Sequence, residues 1–439
     1  MDHRRTRTHL SFTQQILASF KDDAAGATVF SGHARVALNT STGNQTLSGI
    51  TWSDGGSHTP QIAFFEVIGA TANATDTDHV IIGYGAYDGT NDVCQATDAV
   101  HNLATSDTGS YGSETESVIA IAAGVTIVSG TGVSFGSDSV TINLATAPAS
   151  AYFVIVRVWA GCDAVECGRA NPSDTDTGTT DHTGLGQPCN VLFAITTGTQ
   201  TGTFDGHNTR GGVGRGLYAY DGTTSRQASM HHTVRTSRGS SEGVIAWLDD
   251  RVGSIVPDHF GSRDGDWEIS NHASGWTVTT REIATIDADA NDFMFVSMAF
   301  TGVKAYVGNF DTPTTASPTD KAVTGFGFEP ASVYVISSHV DEVSGTSDGA
   351  SPDADGTCLG SAMSASAEYS ASITDHDNEG TMDNQSRSDT YIIHVAVDDG
   401  TNTIEGNLKS LDSDGATFEF TVNDLSQDGR CIYLAIENA

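Results

Sequence analysis

Basic residues are scarce in this sequence of 439 residues, and lysine is the rarer of the two. The chain has 20 Lys and Arg, of which four are Lys, against 55 Asp and Glu, and its formal net charge at pH 7 is −35. Neutralising the phosphates of a nucleic acid requires clustered Lys and Arg. The scarcity of such residues argues against nucleic acid as the partner.

Long apolar segments are also lacking. No run approaches the roughly 18–20 residues of a membrane span, and the N-terminal segment lacks the apolar core of a signal peptide. Hydrophobic residues make up only 38% of the chain, although short apolar runs recur along its whole length. We therefore expect a soluble, strongly acidic protein of several domains with no membrane span.

Two signatures of metal sites and one of nucleotide binding are missing. The sequence contains no Cys-x-x-Cys, no His-Glu-x-x-His and no Gly-x4-Gly-Lys phosphate-binding loop. A glycosidase needs two carboxylates at a fixed separation, and the sequence singles out no pair among 55. The sequence therefore predicts a protein that is not an enzyme and has no certain cofactor.

The residues that are abundant favour strands and turns. Glycine alone supplies 48 residues, and Ser, Thr and Asp are frequent throughout. Gly, Ser, Thr and Asp are poor helix formers, whereas Val, Ile, Thr and aromatic residues suit strands. This composition predicts an all-β chain with many turns.

Four landmarks recur in the same order along the chain, three of them three times and one twice, which indicates a threefold internal repeat. The first is a proline that precedes an apolar strand, at Pro60, Pro188 and Pro330. The second is an Asp-Gly hairpin signal in GYGAYDGT (83–90) and GLYAYDGT (216–223). The third landmark comprises the apolar runs SVIAIAAG, GVIAWLDD and YIIHVAVD, and the fourth is a closing pair of strands.

These landmarks divide the chain into three repeats and an N-terminal arm. We place the arm at residues 1–31 and the repeats at 32–160, 161–301 and 302–439. Each repeat has about eight short strands separated by turns, a pattern typical of a β-sandwich or jelly roll. Units of this length are large enough to hold their own cores. The predicted fold is three tandem β-sandwich or jelly-roll-like repeats.

The arm carries a basic tip on an otherwise acidic chain. Arg4, Arg5 and Arg7 precede the segment SFTQQILASFKDD (11–23). Its spacing of apolar residues is that of a short amphipathic helix with Phe12 and Ile16 on the apolar face. One interpretation is an arm that anchors the protein to an acidic partner through these five residues. The alternative is a disordered tail.

Aspartate-rich segments are candidate calcium sites, because alternating Asp in a turn supplies several oxygen ligands. The candidate ligands are Asp287, Asp289, Asp412 and Asp414. No segment has the spacing of an EF-hand, and 41 Asp produce such clusters by chance. Unspecific cation binding is therefore the alternative.

Histidine and cysteine give weaker indications. Three His at similar positions in the repeats are candidate metal ligands near a threefold axis, although ordinary surface His is the simpler interpretation: His101, His232 and His376. Three of the six Cys lie near one end of the second repeat and either form a disulfide or remain buried thiols: Cys162, Cys167 and Cys189.

Each hairpin landmark contains two tyrosines. Tyr87 in the first repeat matches Tyr220 in the second, and Tyr84 and Tyr218 lie three and two residues before them, so each pair is near one turn. Tyr87 and Tyr220 are candidate ligand contacts, because such rings stack on sugars or fill protein interfaces. Local packing is the alternative.

The excess of Asp over Glu suggests an environment of high salt concentration. Asp outnumbers Glu by 41 to 14. Molar salt shortens the Debye length to about 3 Å and removes most of the self-repulsion of such a chain. A halophilic source is one interpretation, and an acidic surface retained for solubility is the other.

The segment 305–337 resembles one that recurs in structural proteins of tailed viruses, whether bacteriophages or haloarchaeal viruses. A short strand leads through a polar stretch to a Gly-x-Gly-Phe-x-Pro segment and a second strand. The matching residues are Val307, Gly308, Phe310, Val323, Gly325, Gly327, Phe328, Pro330 and Val333. The second repeat retains Gly184, Gly186 and Pro188 but has Gln187 in place of Phe.

The resemblance implies a virion protein with β-sandwich domains, displayed as a tail fibre, baseplate or capsid-decoration component for assembly or host attachment. Its implied partners are other virion proteins and a host surface glycan or protein. Symmetry of virion appendages suggests a homo-oligomer, with a trimer as the first expectation. The alternatives are a secreted or cell-surface array of carbohydrate-binding β-domains and a depolymerase within a fibre.

Overall fold

The structure is a computed structural model in which no α-helix occurs among the described residues. No segment of the described chain is therefore a helix capable of crossing a membrane. The described residues are 28–69, 79–100, 108–122, 124–173, 175, 177–197, 206–208, 211–234, 244–255, 265–282, 292–314, 318–339, 348–351, 356–374, 384–397, 402–423 and 429–437.

Strands with antiparallel pairing account for the fold, and eleven strands lie in each third of the described chain. The first unit contains β1 (Phe30–Ala37), β2 (Gly43–Ser48), β3 (Thr51–Trp52), β4 (Ile62–Ile68), β5 (His79–Tyr87), β6 (Asp92–Val100), β7 (Thr108–Ser113), β8 (Val118–Ala122), β9 (Val125–Gly136), β10 (Ser139–Thr146) and β11 (Phe153–Ala160). The second unit contains β12 (Ala164–Ala170), β13 (Thr179–His182), β14 (Val191–Thr197), β15 (Gly206–Asn208), β16 (Gly211–Tyr220), β17 (Ser225–Val234), β18 (Val244–Leu248), β19 (Gly253–Ile255), β20 (Gly265–His272), β21 (Gly275–Glu282) and β22 (Phe293–Ala299). The third unit contains β23 (Ala305–Asp311), β24 (Thr319–Thr324), β25 (Pro330–His339), β26 (Asp348–Ser351), β27 (Gly356–Ser364), β28 (Ala367–Thr374), β29 (Asn384–Ser388), β30 (Ile393–Val397), β31 (Asn402–Asp412), β32 (Gly415–Asn423) and β33 (Gly429–Glu437).

Each unit is a sandwich of a large and a small sheet, and the strand order is the same in all three. The large sheets contain the orders β1-β11-β4-β5-β6-β7, β12-β22-β14-β16-β17-β18 and β23-β33-β25-β27-β28-β29. The small sheets have the orders β2-β10-β9-β8, β13-β21-β20-β19 and β24-β32-β31-β30. The predicted all-β fold of sandwich-like repeats is therefore confirmed.

The Asp-Gly hairpins and the closing strand pairs lie where the sequence predicts them. Gly89 and Gly222 occupy the hairpin turns with φ of 94° and 95°, which favour glycine. Asp88 and Asp221 each accept hydrogen bonds from backbone N–H groups two and three residues further on.

In the second repeat, the third landmark was matched to the wrong strand. The run that follows Gly243 forms β18 of the large sheet, whereas the runs at 118–122 and 393–397 form β8 and β30 of the small sheets. The true counterpart is the short strand β19. Both runs are apolar because both lie in the core, so hydrophobicity alone does not distinguish them.

Three glycines allow the two sheets of each unit to touch. Gly85, Gly216 and Gly360 occupy matching registers opposite β4, β14 and β25. A Cβ at these positions would lie 1.9, 1.5 and 1.7 Å from backbone carbonyl oxygens of the small sheet. Only glycine permits this approach.

Every unit has its own core between its two sheets, and a fourth cluster joins all three units. In the shared cluster, Phe64, Phe193 and Tyr334 come from matching positions of β4, β14 and β25. The Phe193 ring lies 6.1 Å from that of Phe64 and 5.3 Å from that of Tyr334. The large sheets therefore face a common pseudo-threefold axis. The sequence predicted the separate cores but not this shared one.

Contacts with the backbone of the neighbouring unit close the ring, two of them by strand pairing and one through a side chain. Strand β15 of the second unit pairs with β7 of the first, and β26 of the third pairs with β18 of the second. The third edge strand, β29, contributes Gln385, whose Oε1 accepts hydrogen bonds from the N–H groups of Gly69 and Ile81 in the first unit.

The predicted repeat boundaries fall differently on these elements. Those at Gly161 and Gly302 lie in the connections between β11 and β12 and between β22 and β23, whereas Gly32 lies inside β1. The division into independent domains stays a prediction, because the three units share one core.

Candidate functional site

A buried ion pair lies beside the pseudo-threefold axis in the first unit. Arg157 of β11 and Glu66 of β4 face the same side of their sheet, with Nη2 2.9 Å from Oε2 and both side chains 0% exposed. Arg157 also reaches the third unit, where it donates to the Ser361 hydroxyl and to the Leu359 carbonyl, each at 3.2 Å. The pair therefore links two units.

A second buried arginine links all three units. Arg215 of β16 donates from Nε to the Tyr84 hydroxyl at 2.9 Å in the first unit. Its Nη1 donates to the Thr357 hydroxyl at 2.8 Å in the third unit. The guanidinium also lies 5.4 Å from the centre of the Tyr84 ring. Arg157, Glu66, Arg215 and Tyr84 are called the axial network below.

Burial dominates the protonation equilibria around the axial network. Desolvation raises the pKa of Glu66, although Arg157 and Arg215 oppose that shift. Desolvation, assisted by Arg157, lowers the pKa of His33 to about 3. Desolvation, assisted by Arg215 and His231, lowers the pKa of His232 to about 3. The His residues near the axis are therefore neutral at pH 7.

The Arg157–Glu66 ion pair has no counterpart at the matching positions of the other two units. The positions that match Arg157 hold Val296 and Leu434, and those that match Glu66 hold Ile195 and Ile336. The three units are otherwise similar, but only the first unit has a charged pair at these positions. An asymmetric network of this kind specifies which unit faces which.

Three further ion pairs join the units near the edges of the ring. The acidic partners follow directly after the matching edge strands β7, β18 and β29. The pairs are Glu114 with Arg169 at 3.5 Å, Asp249 with Arg430 at 2.8 Å, and Asp389 with Arg35. Each pair crosses from one unit to the next.

The arrangement is suited to holding units together. The axial network is fully buried, so its groups have no access to a substrate. Three pentapeptides, 132–136, 239–243 and 345–349, have the Gly-x-Ser-x-Gly spacing of a hydrolase nucleophile. The first lies inside β9 without the strand-to-helix turn that such a nucleophile needs. The second lies outside the described residues, and the third lies largely outside them.

The candidate tyrosines are mainly packing residues. Tyr87 is 6% exposed and its ring lies 5.1 Å from that of Phe135. Tyr220 is partly exposed and donates its hydroxyl to the Gly222 carbonyl of its own turn at 2.8 Å. The structure leaves little of the Tyr87 ring available to a ligand.

Only two of the four candidate calcium ligands, Asp412 and Asp414, lie within the described residues. Asp287 and Asp289 lie outside the described residues. Asp412 accepts hydrogen bonds from the hydroxyls of Ser410 and Thr417, and Asp414 accepts from the Gly327 N–H. Within the described ranges, no group of three or more His, Cys, Asp or Glu is placed to hold a metal ion.

The remaining candidates divide between buried and undescribed residues. His232 is buried in β17, whereas His101 and His376 lie outside the described part. Cys162, Cys167 and Cys189 are buried free thiols, as are the other three Cys. Of the N-terminal arm, residues 1–27 lie outside the described residues, including Arg4, Arg5, Arg7, Phe12 and Ile16.

The axial network was missed by reasoning from the sequence, although a signal was present. Glu66 is the one charged residue of the apolar run Ile62–Ile68, and Arg157 is the one charged residue of Phe153–Ala160. A lone charge in an otherwise apolar strand indicates a buried partner elsewhere in the chain.

No model of a protein family matches the chain, and the curated protein sequences yield no match either.

Proposed function

We propose that the protein is a non-enzymatic structural component of a tailed-virus particle, displayed on the tail or capsid surface for assembly or host attachment. The observation that supports this proposal most strongly is the closed pseudo-threefold ring formed by one chain. Its charged groups at the axis and at the unit junctions are used in contacts between units. The sequence resemblance of segment 305–337 supplies the viral context.

The ring suits a place on a symmetric particle. Three units related by a pseudo-threefold axis present three similar faces to a partner of threefold or sixfold symmetry. One chain achieves this without other copies, and a homotrimer remains a separate prediction. Among the described residues, only Val125 and Val133 are exposed large hydrophobic residues. A polar surface of this kind suits a particle exterior.

The anchoring role belongs to residues 1–31 in this proposal. The basic tip with Arg4, Arg5 and Arg7 would dock on an acidic surface of the particle, while the ring projects outwards. A halophilic virus would explain the excess of Asp and the net charge of −35.

The test is the position of labelled protein on purified particles. We expect the full chain to co-purify with particles. The chain without residues 1–27, which keeps Val29 and all of β1, should still fold but be excluded from particles. Labelled protein found on cells but never on particles would contradict the viral proposal. It would favour the alternative, a cell-surface array of carbohydrate-binding β-domains.

A further inference from the structure

A cleft of about 1100 Å³ lies at the junction of the second and third units. Its walls come from β17, β20, β21 and the turn after β18 on one side, and from β23, β24 and β33 on the other. This volume slightly exceeds the usual range for small-molecule pockets, which is roughly 300–1,000 Å³. The cleft therefore has room for several rings of an oligomeric ligand.

Basic residues are concentrated in this cleft. Five of the chain's 20 Lys and Arg line it, namely Arg226, Arg251, Arg281, Lys321 and Arg430. Four acidic residues line it as well, namely Asp249, Asp250, Glu268 and Asp311. Two more carboxylates, those of Asp221 and Asp266, pair with Arg226 and Arg251 from outside the lining. The cleft is therefore rich in charges of both signs, in contrast to the strongly acidic chain as a whole, whose net charge is −35.

The basic groups are held in place by the walls. The Arg226 guanidinium lies 4.4 Å from the centre of the Tyr306 ring and forms a 2.8 Å ion pair with Asp221. Arg281 donates from Nε to Glu268 at 2.6 Å. Lys321 has no ion-pair partner among the described residues, so its ammonium group has only solvent or a ligand to neutralise it.

Exposed carboxylates alternate with these cations. The Asp250 side chain is 65% exposed and that of Asp311 is 46% exposed. Carboxylates accept hydrogen bonds from hydroxyl groups, whereas Arg and Lys donate to acidic groups of a ligand. The Tyr306 ring is already covered by the Arg226 guanidinium, 4.4 Å from its centre, and by the Phe326 ring, stacked 5.1 Å away. The cleft thus offers the two kinds of polar contact that a charged sugar makes.

We propose that this cleft binds an acidic oligosaccharide, in which carboxylate-bearing rings also carry free hydroxyl groups. The proposal rests on the proposed role in host attachment and names its ligand class. A densely charged polyanion such as a nucleic acid fits less well, because four carboxylates in the lining and the overall net charge repel it. A neutral glycan would leave the Lys321 charge without a partner.

The test measures binding of a galacturonate hexamer to the full chain at about 0.2 M NaCl, where long-range attraction is screened. We expect binding that is at least about tenfold tighter than that of neutral maltohexaose. The double variant Arg281→Gln with Lys321→Gln should weaken hexamer binding by about tenfold or more. Lys409→Gln removes an exposed charge outside the lining and should leave the affinity unchanged.

Several results would overturn the proposal. These are no binding by the folded chain, equal affinity for maltohexaose, tighter binding of dodecathymidylate, or the same loss in Lys409→Gln as in the double variant. If the double variant unfolds, Lys321→Gln alone provides the test, because Lys321 has no ion pair to lose. Particle association is a separate readout. A chain that associates with particles but does not bind the hexamer would contradict the proposed ligand of the cleft and leave the proposed virion role standing.

Discussion

Arg157 and Glu66 form a 2.9 Å ion pair with neither side chain exposed, at positions where the other two units carry only aliphatic residues. We expect Arg157→Leu alone to lower the free energy of unfolding by about 3–5 kcal/mol, because it leaves the Glu66 carboxylate buried without its partner. The double variant with Glu66→Leu should recover most of that loss. Chemical denaturation of the three proteins measures both effects.

The exposed pair of Lys409 with Asp320 is the control for this comparison. Its removal should change the free energy of unfolding by less than about 1 kcal/mol. A double variant no more stable than Arg157→Leu would contradict the idea that the pair specifies the arrangement of units more than it stabilises them.

A Cβ at Gly216 would lie 1.5 Å from the Val252 carbonyl oxygen, which belongs to the backbone of the facing sheet. We expect Gly216→Ala to destabilise the chain by more than about 2 kcal/mol, since the two sheets must move apart. Gly136→Ala is the matched control, because its Cβ meets only the Ser139 hydroxyl. Equal melting temperatures for the two variants would show that the sheets do not pack as described.

Much of the fold was predictable from local patterns, whereas the assembly of the units was not. Prolines before strands and Asp-Gly turns indicate where strands begin and pair, because these residues act through their own backbone. The axis depends on contacts such as that of Arg215 with Tyr84, 131 residues apart, for which no local pattern exists. The wrong assignment of β18 also reflects the lack of a local pattern, since two buried strands in different sheets have the same apolar character.

Asp249 and Arg430 join the second and third units at 2.8 Å, with side chains 16% and 8% exposed. We expect Asp249→Asn to loosen this junction, because Arg430 then keeps only Asp311 as a charged partner. Hydrogen exchange in β18 and its partner strand β26 should become faster, while exchange in β8 and β9 of the first unit stays unchanged. Faster exchange throughout the chain would instead indicate a global loss of stability.

The net charge of −35 predicts a strong dependence of stability on salt. Repulsion among the acidic residues is screened as the Debye length falls from about 10 Å at 0.1 M to about 3 Å at 1 M salt. We therefore expect the melting temperature to rise between low and molar KCl. A melting temperature that does not change would remove the argument for a halophilic source.

His232 is buried beside Arg215 and His231, and its pKa is lowered from 6.5 to about 3. The unfolded chain therefore binds a proton at this residue below about pH 6.5 while the folded chain does not. The stability that the neutral His232 contributes is present above pH 6.5 and is lost as the pH falls towards 3, by up to about 1.4 kcal/mol per pH unit. Neither ring nitrogen has a hydrogen-bond partner within the part of the chain that the structure describes, so His232→Leu removes the titration without breaking a described hydrogen bond.

The measurement compares the free energy of unfolding of the wild type and His232→Leu at several values between pH 7 and pH 4.5. Other buried groups titrate in both proteins, including Glu368, whose pKa burial raises to about 8, and their effects cancel in the difference. We expect the variant to gain on the wild type steadily as the pH falls, because only the wild type has this His to protonate in the unfolded state. A difference that stays constant over this range would mean that His232 already carries its proton in the fold, and the axis would then have to accommodate its charge beside Arg215.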